Sequence, residues 1–182
     1  SFTVSNVYGV TPKRWTCRFF DAVLSVLLSP SCAACGAALD QPTQGAVCPL
    51  CWSAIRFFTP PLCDTCGDPL PSWRVISRTV LTCPRCRRIS RRIARSRAIG
   101  GYEGTLRAIL HALKYDGRRS LAHPLAARMR ENGQSILEGA HATVPVPLHA
   151  SRRRERGFNQ AGDLAEHLGL PVVHALRRVR PT

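Results

Sequence analysis

Cysteine pairs are the residues of this sequence best suited to chemistry. Eight of the nine cysteines form four Cys-x-x-Cys pairs, with 12, 11 and 16 residues between successive pairs: Cys32/Cys35, Cys48/Cys51, Cys63/Cys66 and Cys83/Cys86. A two-residue spacer lets both thiolates of a tight turn face one ion at about 2.3 Å, and two such turns complete a tetrahedron. The four pairs therefore predict two four-cysteine sites, each holding a structural zinc ion.

The order in which the pairs combine is predicted from loop length. Sequential pairing closes the shorter loops, although a crossed arrangement stays open. It assigns the ligands in two sets: Cys32, Cys35, Cys48 and Cys51 to one ion, and Cys63, Cys66, Cys83 and Cys86 to the other. Gly36 and Gly67 directly follow their pairs, where the backbone must turn with positive φ. Disulfides are the alternative, but they need an oxidising compartment that nothing else in the sequence indicates. Cys17 lies outside the pattern and is interpreted as an inert buried thiol.

A basic segment, residues 148–157, is the second candidate for chemistry. It contains four arginines and Gly157 between a predicted strand and the start of a predicted helix. Guanidinium groups can clamp phosphate in bidentate fashion, and a helix N-terminus favours an anion. The segment is therefore predicted to be a loop that binds phosphate or pyrophosphate, with a solvated basic turn as the alternative.

The elements that would position this loop predict an α/β fold. One helix begins at Thr105 and ends before Gly117, and a second runs from near Ser120 to Gly133. Residues 143–147 are predicted to form a short buried strand. A helix near Asn159 follows the loop, and Pro171-Val172-Val173 begins another strand. Strand, loop, helix and strand in this order predict a βαβ unit with a parallel sheet and a ligand crevice at the carboxyl end of the strand.

The chain divides into four predicted segments. Residues 1–31 are a leader with a short amphipathic helix, 32–86 the zinc module, 87–97 an arginine-rich linker and 98–182 the α/β segment. Asp21 interrupts the apolar run of the leader, which favours a helix over a signal peptide and predicts a cytoplasmic protein. No apolar run approaches the roughly 20 residues that a membrane span needs.

The charge balance favours polyanionic partners. The formal net charge is +15 at pH 7. Eight thiolates binding two zinc ions would lower it by four, to about +11. Such a surplus suits nucleic acid or a phosphorylated small molecule, unless the arginines reflect codon bias. The linker is interpreted as a solvated face, with a nucleic-acid contact as the alternative.

An ordered set of motifs resembles the ComF family of competence-associated proteins. These are the four cysteine pairs, then Tyr102-Glu103-Gly104, Leu113-Lys114-Tyr115, Val144-Pro145-Val146-Pro147-Leu148-His149 and Arg156-Gly157-Phe158-Asn159-Gln160. The resemblance implies a double zinc ribbon followed by the first part of a type I phosphoribosyltransferase-like domain. It places a set of residues around the pyrophosphate of phosphoribosyl pyrophosphate: Arg152, Arg154, Arg156, Gly157, Asn159 and Gln160, with Lys114 a weaker candidate.

One motif of that enzyme class is not found. Two adjacent acidic residues followed by a Thr/Gly-rich loop hold the ribose and 5′-phosphate in type I phosphoribosyltransferases, and this sequence contains no such run. We therefore expect a chain truncated at its C-terminus and incomplete for catalysis, with no catalytic residue assigned. Mg²⁺ would accompany phosphoribosyl pyrophosphate only in a complete domain. The alternatives are an inactive fragment or a non-catalytic nucleic-acid-binding or adaptor protein, whose partners would be single-stranded DNA and proteins of the competence machinery.

Overall fold

The structure is a computed structural model that describes residues 21, 23–24, 29–71, 81–88 and 93–180. Within these residues we number six α-helices: α1 (Pro49–Ser53), α2 (Pro84–Arg88), α3 (Gly104–Tyr115), α4 (Ala122–Leu137), α5 (Ala150–Arg156) and α6 (Gln160–Glu166). There are also two 3-10 helices, Pro42–Gln44 and Arg119–Leu121. None of the helices in these ranges is long and apolar enough to cross a membrane.

The cysteine module consists of two copies of one turn. In the first copy, Ser31 and Ala38 form an antiparallel bridge and the amide of Gly36 donates to the carbonyl of Cys32 at 2.9 Å. In the second, Leu62 bridges Pro69, and the amide of Gly67 donates to the carbonyl of Cys63 at 2.8 Å. Gly36 and Gly67 both have φ of 75°, as predicted. The chain therefore uses the same backbone solution twice.

Helices α3 and α4 form the centre of the core. The inner face of α3 carries Leu106, Ile109 and Leu113, none more than 4% exposed, and α4 contributes Leu125 at 1%. The helix predicted between Thr105 and Gly117 is thus confirmed. Its N-cap is Glu103 rather than Thr105, which lies inside the first turn.

The second helix is longer than predicted. We expected α4 to end at Gly133, but it continues to Leu137. A glycine inside a helix costs only about 1 kcal/mol relative to alanine. Continuing the helix brings Ile136 and Leu137 against an apolar cavity of about 400 Å³ between α3, α4 and α6. Both side chains are partly buried there, so the extension adds apolar contact at the small cost of one glycine.

One hydrophobic cluster joins the first zinc turn to the helices. Its buried members are Cys32, Leu39, Val47, Cys51, Ile55, Leu106, Ile109, Ala112, Leu113, Leu121, Ala122, Leu125 and Phe158. Two arginines reinforce this contact from the helical side. The guanidinium of Arg128 stacks 3.7 Å from the ring centroid of Trp52, and Arg118 donates to the carbonyl of Ser31 at 3.2 Å. The first zinc turn and the helices therefore share a core.

The predicted parallel sheet is not confirmed. In the described part of the chain it is reduced to one parallel bridge, in which the amide of Thr143 donates to the carbonyl of Pro171 at 2.8 Å and that of Val173 to Thr143 at 2.9 Å. The prediction of a buried strand at 143–147 is wrong, since Val144 is 42% and Val146 62% exposed. Pro145 and Pro147 have no N–H to donate, which limits ladder hydrogen bonds along this segment.

The sequence predicts a loop over residues 148–157, but most of them form α5, because His149 caps its first turn and Gly157 ends it in the left-handed region.

In the leader, Asp21, Val23 and Leu24 are helical. Asp21 is buried and accepts a hydrogen bond from the amide of Thr43 at 2.9 Å. The rest of the predicted leader helix and Cys17 lie outside the described residues.

Candidate zinc centres and basic segment

The first zinc centre gathers the first two cysteine pairs. The four sulfurs of Cys32, Cys35, Cys48 and Cys51 lie within 4.8 Å of one another. The Cys35 and Cys48 sulfurs are 4.0 Å apart. Four sulfurs at about 2.3 Å from a central ion are separated by about 3.8 Å in a tetrahedron. The cluster therefore has the size and donor set of a tetrahedral zinc site.

The second centre repeats this arrangement. Cys63, Cys66, Cys83 and Cys86 also have all sulfurs within 4.8 Å, and those of Cys66 and Cys83 are 3.7 Å apart. The structure thus brings the pairs together sequentially, not crossed. Two four-cysteine sites fit two structural zinc ions. Because all four ligands of each site are thiolates, neither ion would keep a position for substrate.

Backbone amides prepare one sulfur of each site for a cation. Burial disfavours the thiolate of Cys32, but hydrogen bonds from backbone amides of its own site outweigh burial and lower its pKa to about 6. The same balance lowers the pKa of Cys63 to about 6. Burial, followed by hydrogen bonds with the other cysteines of its site, raises the pKa of Cys51, and burial also raises the pKa of Cys66. A bound dication would favour the thiolate form of all four ligands.

The end of the arginine-rich linker holds the second zinc turn. The amide of Ser96 donates to the carbonyl of Thr65 at 2.7 Å. The guanidinium of Arg97 donates to the carbonyls of Cys63 at 3.2 Å and Asp64 at 3.1 Å. The interpretation of the linker as a solvated face therefore does not extend to Ser96 and Arg97, which are held by the ribbon. Residues 89–92 of the linker lie outside the described ranges.

The basic segment and the residues after it form two short helices, α5 and α6, joined by a turn. Gly157 has φ of 75°, and the side chain of Asn159 caps α6 by accepting from the amide of Ala161 at 3.2 Å. The amide nitrogen of the Asn159 side chain also donates to the carbonyl of Val146 at 3.2 Å. The side chain of Asn159 therefore satisfies one of the first amides of α6.

The predicted pyrophosphate residues differ in their contacts. Arg156 donates to the side-chain oxygen of Gln160 at 3.1 Å and stacks 4.9 Å from the ring centroid of Tyr115. Arg152 pairs with Glu155 at 2.8 Å on the exposed side of α5, where Arg154 is also exposed. Lys114 belongs to α3, and its ammonium lies 5.4 Å from the ring centroid of Tyr102. Tyr115, the neighbour of Lys114, connects α3 to Arg156.

A polar cavity of about 470 Å³ adjoins the turn between α5 and α6. Its lining includes two residues assigned from sequence, Gly157 and Asn159, together with Arg119, Arg153 and His174. Arg153 is not among the residues predicted from the sequence. Residues four apart on a helix share a face, so the position of Arg153 relative to Gly157 could have indicated that it faces the same side as the turn.

An ion pair missed by the sequence analysis supports this cavity. The guanidinium of Arg119 donates to both carboxylate oxygens of Asp163, at 2.7 and 3.0 Å. Asp163 is buried in the first turn of α6, and Arg119 lies 5.4 Å from the ring centroid of buried Phe158. Hydrogen bonding and charge from Asp163 raise the pKa of Arg119. The only sequence signal was an acidic residue among the apolar positions of α6.

Comparisons with known proteins bear on both parts of the chain. Residues 23–87 match the family described as the double zinc ribbon domain. The chain is 29% identical over 134 residues to competence protein ComFC of Bacillus subtilis (strain 168), an alignment that covers 73% of this chain and 55% of that protein. It is 29% identical over 138 residues to DNA utilization protein YhgH of Salmonella typhimurium, covering 71% of this chain and 55% of that protein. No solved structure matches the chain significantly.

These matches confirm two of the expectations from sequence. The double zinc ribbon is confirmed by the family match and by the two four-cysteine clusters. The resemblance to ComF-type competence and DNA utilization proteins is confirmed by the relatives. The chain spans about half the length of these curated relatives, 55% in each case.

Proposed function

We propose that this protein is a ComF-like member of the phosphoribosyltransferase family that binds phosphoribosyl pyrophosphate or pyrophosphate and serves DNA uptake or use in the cytoplasm. Residues 98–182 would be the first part of the phosphoribosyltransferase-like domain, and the double zinc ribbon would stabilise it through the shared core. The names of the relatives, a competence protein and a DNA utilization protein, support the biological context.

The observation that carries the proposal is the charge of α5. This seven-residue helix has four arginines against one glutamate, and it lies beside the polar cavity of about 470 Å³. A departing pyrophosphate needs positive groups where its charge develops, and guanidinium groups bind phosphate oxygens in bidentate fashion. Arg153 lines this cavity, and Arg156, three residues later in α5, would be the second guanidinium group to contact such an anion.

The zinc ions would have no part in this chemistry. Their ligands are Cys32, Cys35, Cys48 and Cys51 in one site and Cys63, Cys66, Cys83 and Cys86 in the other. Zinc there would supply folding energy to a segment with little core of its own. In a complete domain, Mg²⁺ is expected to accompany phosphoribosyl pyrophosphate.

Calorimetry of the zinc-loaded chain tests the proposal. We expect saturable heat with pyrophosphate and with phosphoribosyl pyrophosphate, at weak affinity, because a few charge-assisted hydrogen bonds must offset the cost of association. Sulfate, which has one charged centre in place of two, serves as the control anion and should bind more weakly. Equal heats for all three anions, or none, would contradict a pyrophosphate site.

A non-catalytic nucleic-acid-binding or adaptor role is the second candidate. The formal charge of +15 and the name of the YhgH relatives favour it. The two candidates make different demands on the molecule, since pyrophosphate needs α5 and a polynucleotide needs an extended surface. Single-stranded DNA and proteins of the competence machinery would be the partners in this case.

A further inference from the structure

Three aromatic rings form a row on the outer face of α3. The rings of Tyr102 and His111 are stacked, with centroids 6.2 Å apart and planes at 29°. The rings of His111 and Tyr115 follow at 5.2 Å and 54°. Tyr102 is 55% and Tyr115 61% exposed, whereas the core residues of the same helix lie on its opposite face. The row is therefore on the surface and adds little to the core.

Each end of the row carries a cation. The ammonium of Lys114 lies 5.4 Å from the ring centroid of Tyr102. The guanidinium of Arg156, which belongs to α5, lies 4.9 Å from that of Tyr115. We call these five residues, Tyr102, His111, Lys114, Tyr115 and Arg156, the α3 strip. Two separate elements and the segment before α3 thus contribute to one surface of alternating rings and positive charges.

The composition of the strip restricts its ligand. Helix α3 carries Arg107 and Lys114 and no acidic residue. Tyr102 and Tyr115 are each more than half exposed, which leaves apolar ring surface for a ligand, and the cations beside them attract anions. Single-stranded nucleic acid presents both complements, because unpaired bases have free faces and a phosphate follows each base. Paired bases in a duplex stack on one another, so the rings would add nothing to duplex binding.

We propose that the α3 strip binds single-stranded nucleic acid, with unpaired bases stacking on Tyr102 and Tyr115 and with Lys114 and Arg156 beside the phosphates. This rests on the role in DNA use proposed above for its class of ligand, but not on pyrophosphate binding. It also moves the expected contact away from the arginine-rich linker, since that run has no aromatic residue between Arg85 and Arg97.

Fluorescence anisotropy of the zinc-loaded chain with a labelled oligothymidylate tests the proposal. Tyr102→Ala combined with Tyr115→Ala should weaken binding by at least about tenfold, since a stacked base contributes on the order of tenfold in affinity. The matched control is Tyr102→Phe with Tyr115→Phe, which keeps both rings and should stay within about twofold of the unaltered chain. Duplex of the same length should bind the alanine and phenylalanine variants equally.

Several outcomes overturn the inference. These are an unchanged affinity in the alanine variant, an equal loss for single strand and duplex, or an equal loss in the phenylalanine control. If the alanine variant loses its zinc, its anisotropy data cannot be used, and an iodouridine-containing strand is cross-linked to the unaltered chain instead. Cross-links that map to Tyr102, His111 or Tyr115 support the strip, and cross-links confined to other residues overturn it.

The same variants separate this inference from the proposed pyrophosphate site. Ring-dependent strand binding by a chain that binds no pyrophosphate would support the strip and contradict the phosphoribosyl pyrophosphate proposal. Pyrophosphate binding, together with strand binding that does not depend on Tyr102 and Tyr115, would support the phosphoribosyl pyrophosphate proposal and contradict the strip.

Discussion

The carbonyl oxygen of Ser96 lies directly over Gly67, so that a Cβ built on Gly67 would be only 2.7 Å from it. Gly36 occupies the equivalent place in the first zinc turn, with the same φ of 75°, but a Cβ there would meet nothing within 4 Å. The two turns have the same backbone conformation at this glycine and differ in which residues pack over it.

Gly67→Ala should therefore destabilise the protein more than Gly36→Ala. Both substitutions place a side chain in the left-handed region, at a cost of about 1–2 kcal/mol. Only Gly67→Ala also displaces the linker backbone, which adds roughly 1–3 kcal/mol as in other overpacked sites. Urea unfolding of the two variants measures the difference. Equal free energies of unfolding would mean that the linker does not rest on the second turn.

Loss of either zinc site should have unequal effects. Cys35→Ser and Cys66→Ser should each lower the zinc content from about two ions to about one and unfold the turn concerned, because structural zinc contributes an apparent binding energy of roughly 10–16 kcal/mol. Since Cys32 and Cys51 belong to the cluster that contains the helices, Cys35→Ser should also lower the melting temperature of the helical signal.

Elemental analysis and circular dichroism on the same samples test this prediction. Cys66→Ser serves as the comparison for Cys35→Ser, because the second site contributes no residue to the described core cluster. Identical melting curves for the two variants would contradict the shared core. If the unaltered protein contains no zinc and mass spectrometry shows disulfides between its cysteines, the double zinc ribbon itself is contradicted.

The ion pair between Arg119 and Asp163 should contribute more to the stability of the protein than the pair between Arg152 and Glu155. The carboxylate of Asp163 is buried and bonded through both oxygens, so that Arg119→Ala leaves a buried charge unpaired. The pair on α5 is exposed on both sides, and such pairs contribute only about 0.3–0.5 kcal/mol. Thermal unfolding of Arg119→Ala and Arg152→Ala should rank them in that order.

A double-mutant cycle separates the pair from the packing of Arg119 on Phe158. Asp163→Asn keeps the shape of the side chain and removes its charge, so Arg119→Ala should cost less in that background. The same cost in both backgrounds would assign the effect to the contact with Phe158, 5.4 Å from the guanidinium.

Strand binding by the chain should weaken steeply with salt. Each phosphate neutralised on a single strand contributes about −0.7 to the slope of log K against log salt concentration. Lys114→Ala should make that slope less steep by about 0.7, the contribution of one phosphate contact, whereas Tyr102→Phe should leave it unchanged. Anisotropy titrations over a series of salt concentrations give the slope. Affinity that is independent of salt, or a strong preference for one base sequence, would contradict phosphate-based binding.

Local spacing explains what could be predicted from the sequence. Cys-x-x-Cys pairs and the glycines after Cys35 and Cys66 determine the two zinc turns through contacts only a few residues apart. The helices α3 and α6 also follow from local periodicity and from the cap at Asn159. The prediction of α4 is wrong only in its end. One glycine costs a helix only about 1 kcal/mol, and the last turn places the partly buried Ile136 and Leu137 against the apolar cavity.

Contacts between distant segments explain what could not be predicted. Arg119 and Asp163 are 44 residues apart, and nothing in the sequence pairs them. The row on α3 depends on Tyr102, which precedes the helix, folding back toward His111. The strand prediction relied on the apolar character of Val144 and Val146, but alternation with prolines leaves both side chains exposed and only a single bridge at Thr143.

The last prediction concerns Arg156, whose guanidinium is held between Tyr115 and Gln160. Being oriented before a ligand arrives, it loses less freedom on binding than a free arginine. Arg156→Ala should reduce the affinity for pyrophosphate by about tenfold or more, since hydrogen bonds to charged groups are each worth about 1.5–3 kcal/mol. Arg88→Ala, an equal change of charge on exposed α2, is the control and should change the affinity little. Both variants should keep their zinc, because neither residue forms a hydrogen bond with a cysteine sulfur in the described structure. If calorimetry shows equal affinity for Arg156→Ala and Arg88→Ala, the arginines of α5 form a solvated surface, and the nucleic-acid-binding role replaces the pyrophosphate site as the function of this chain.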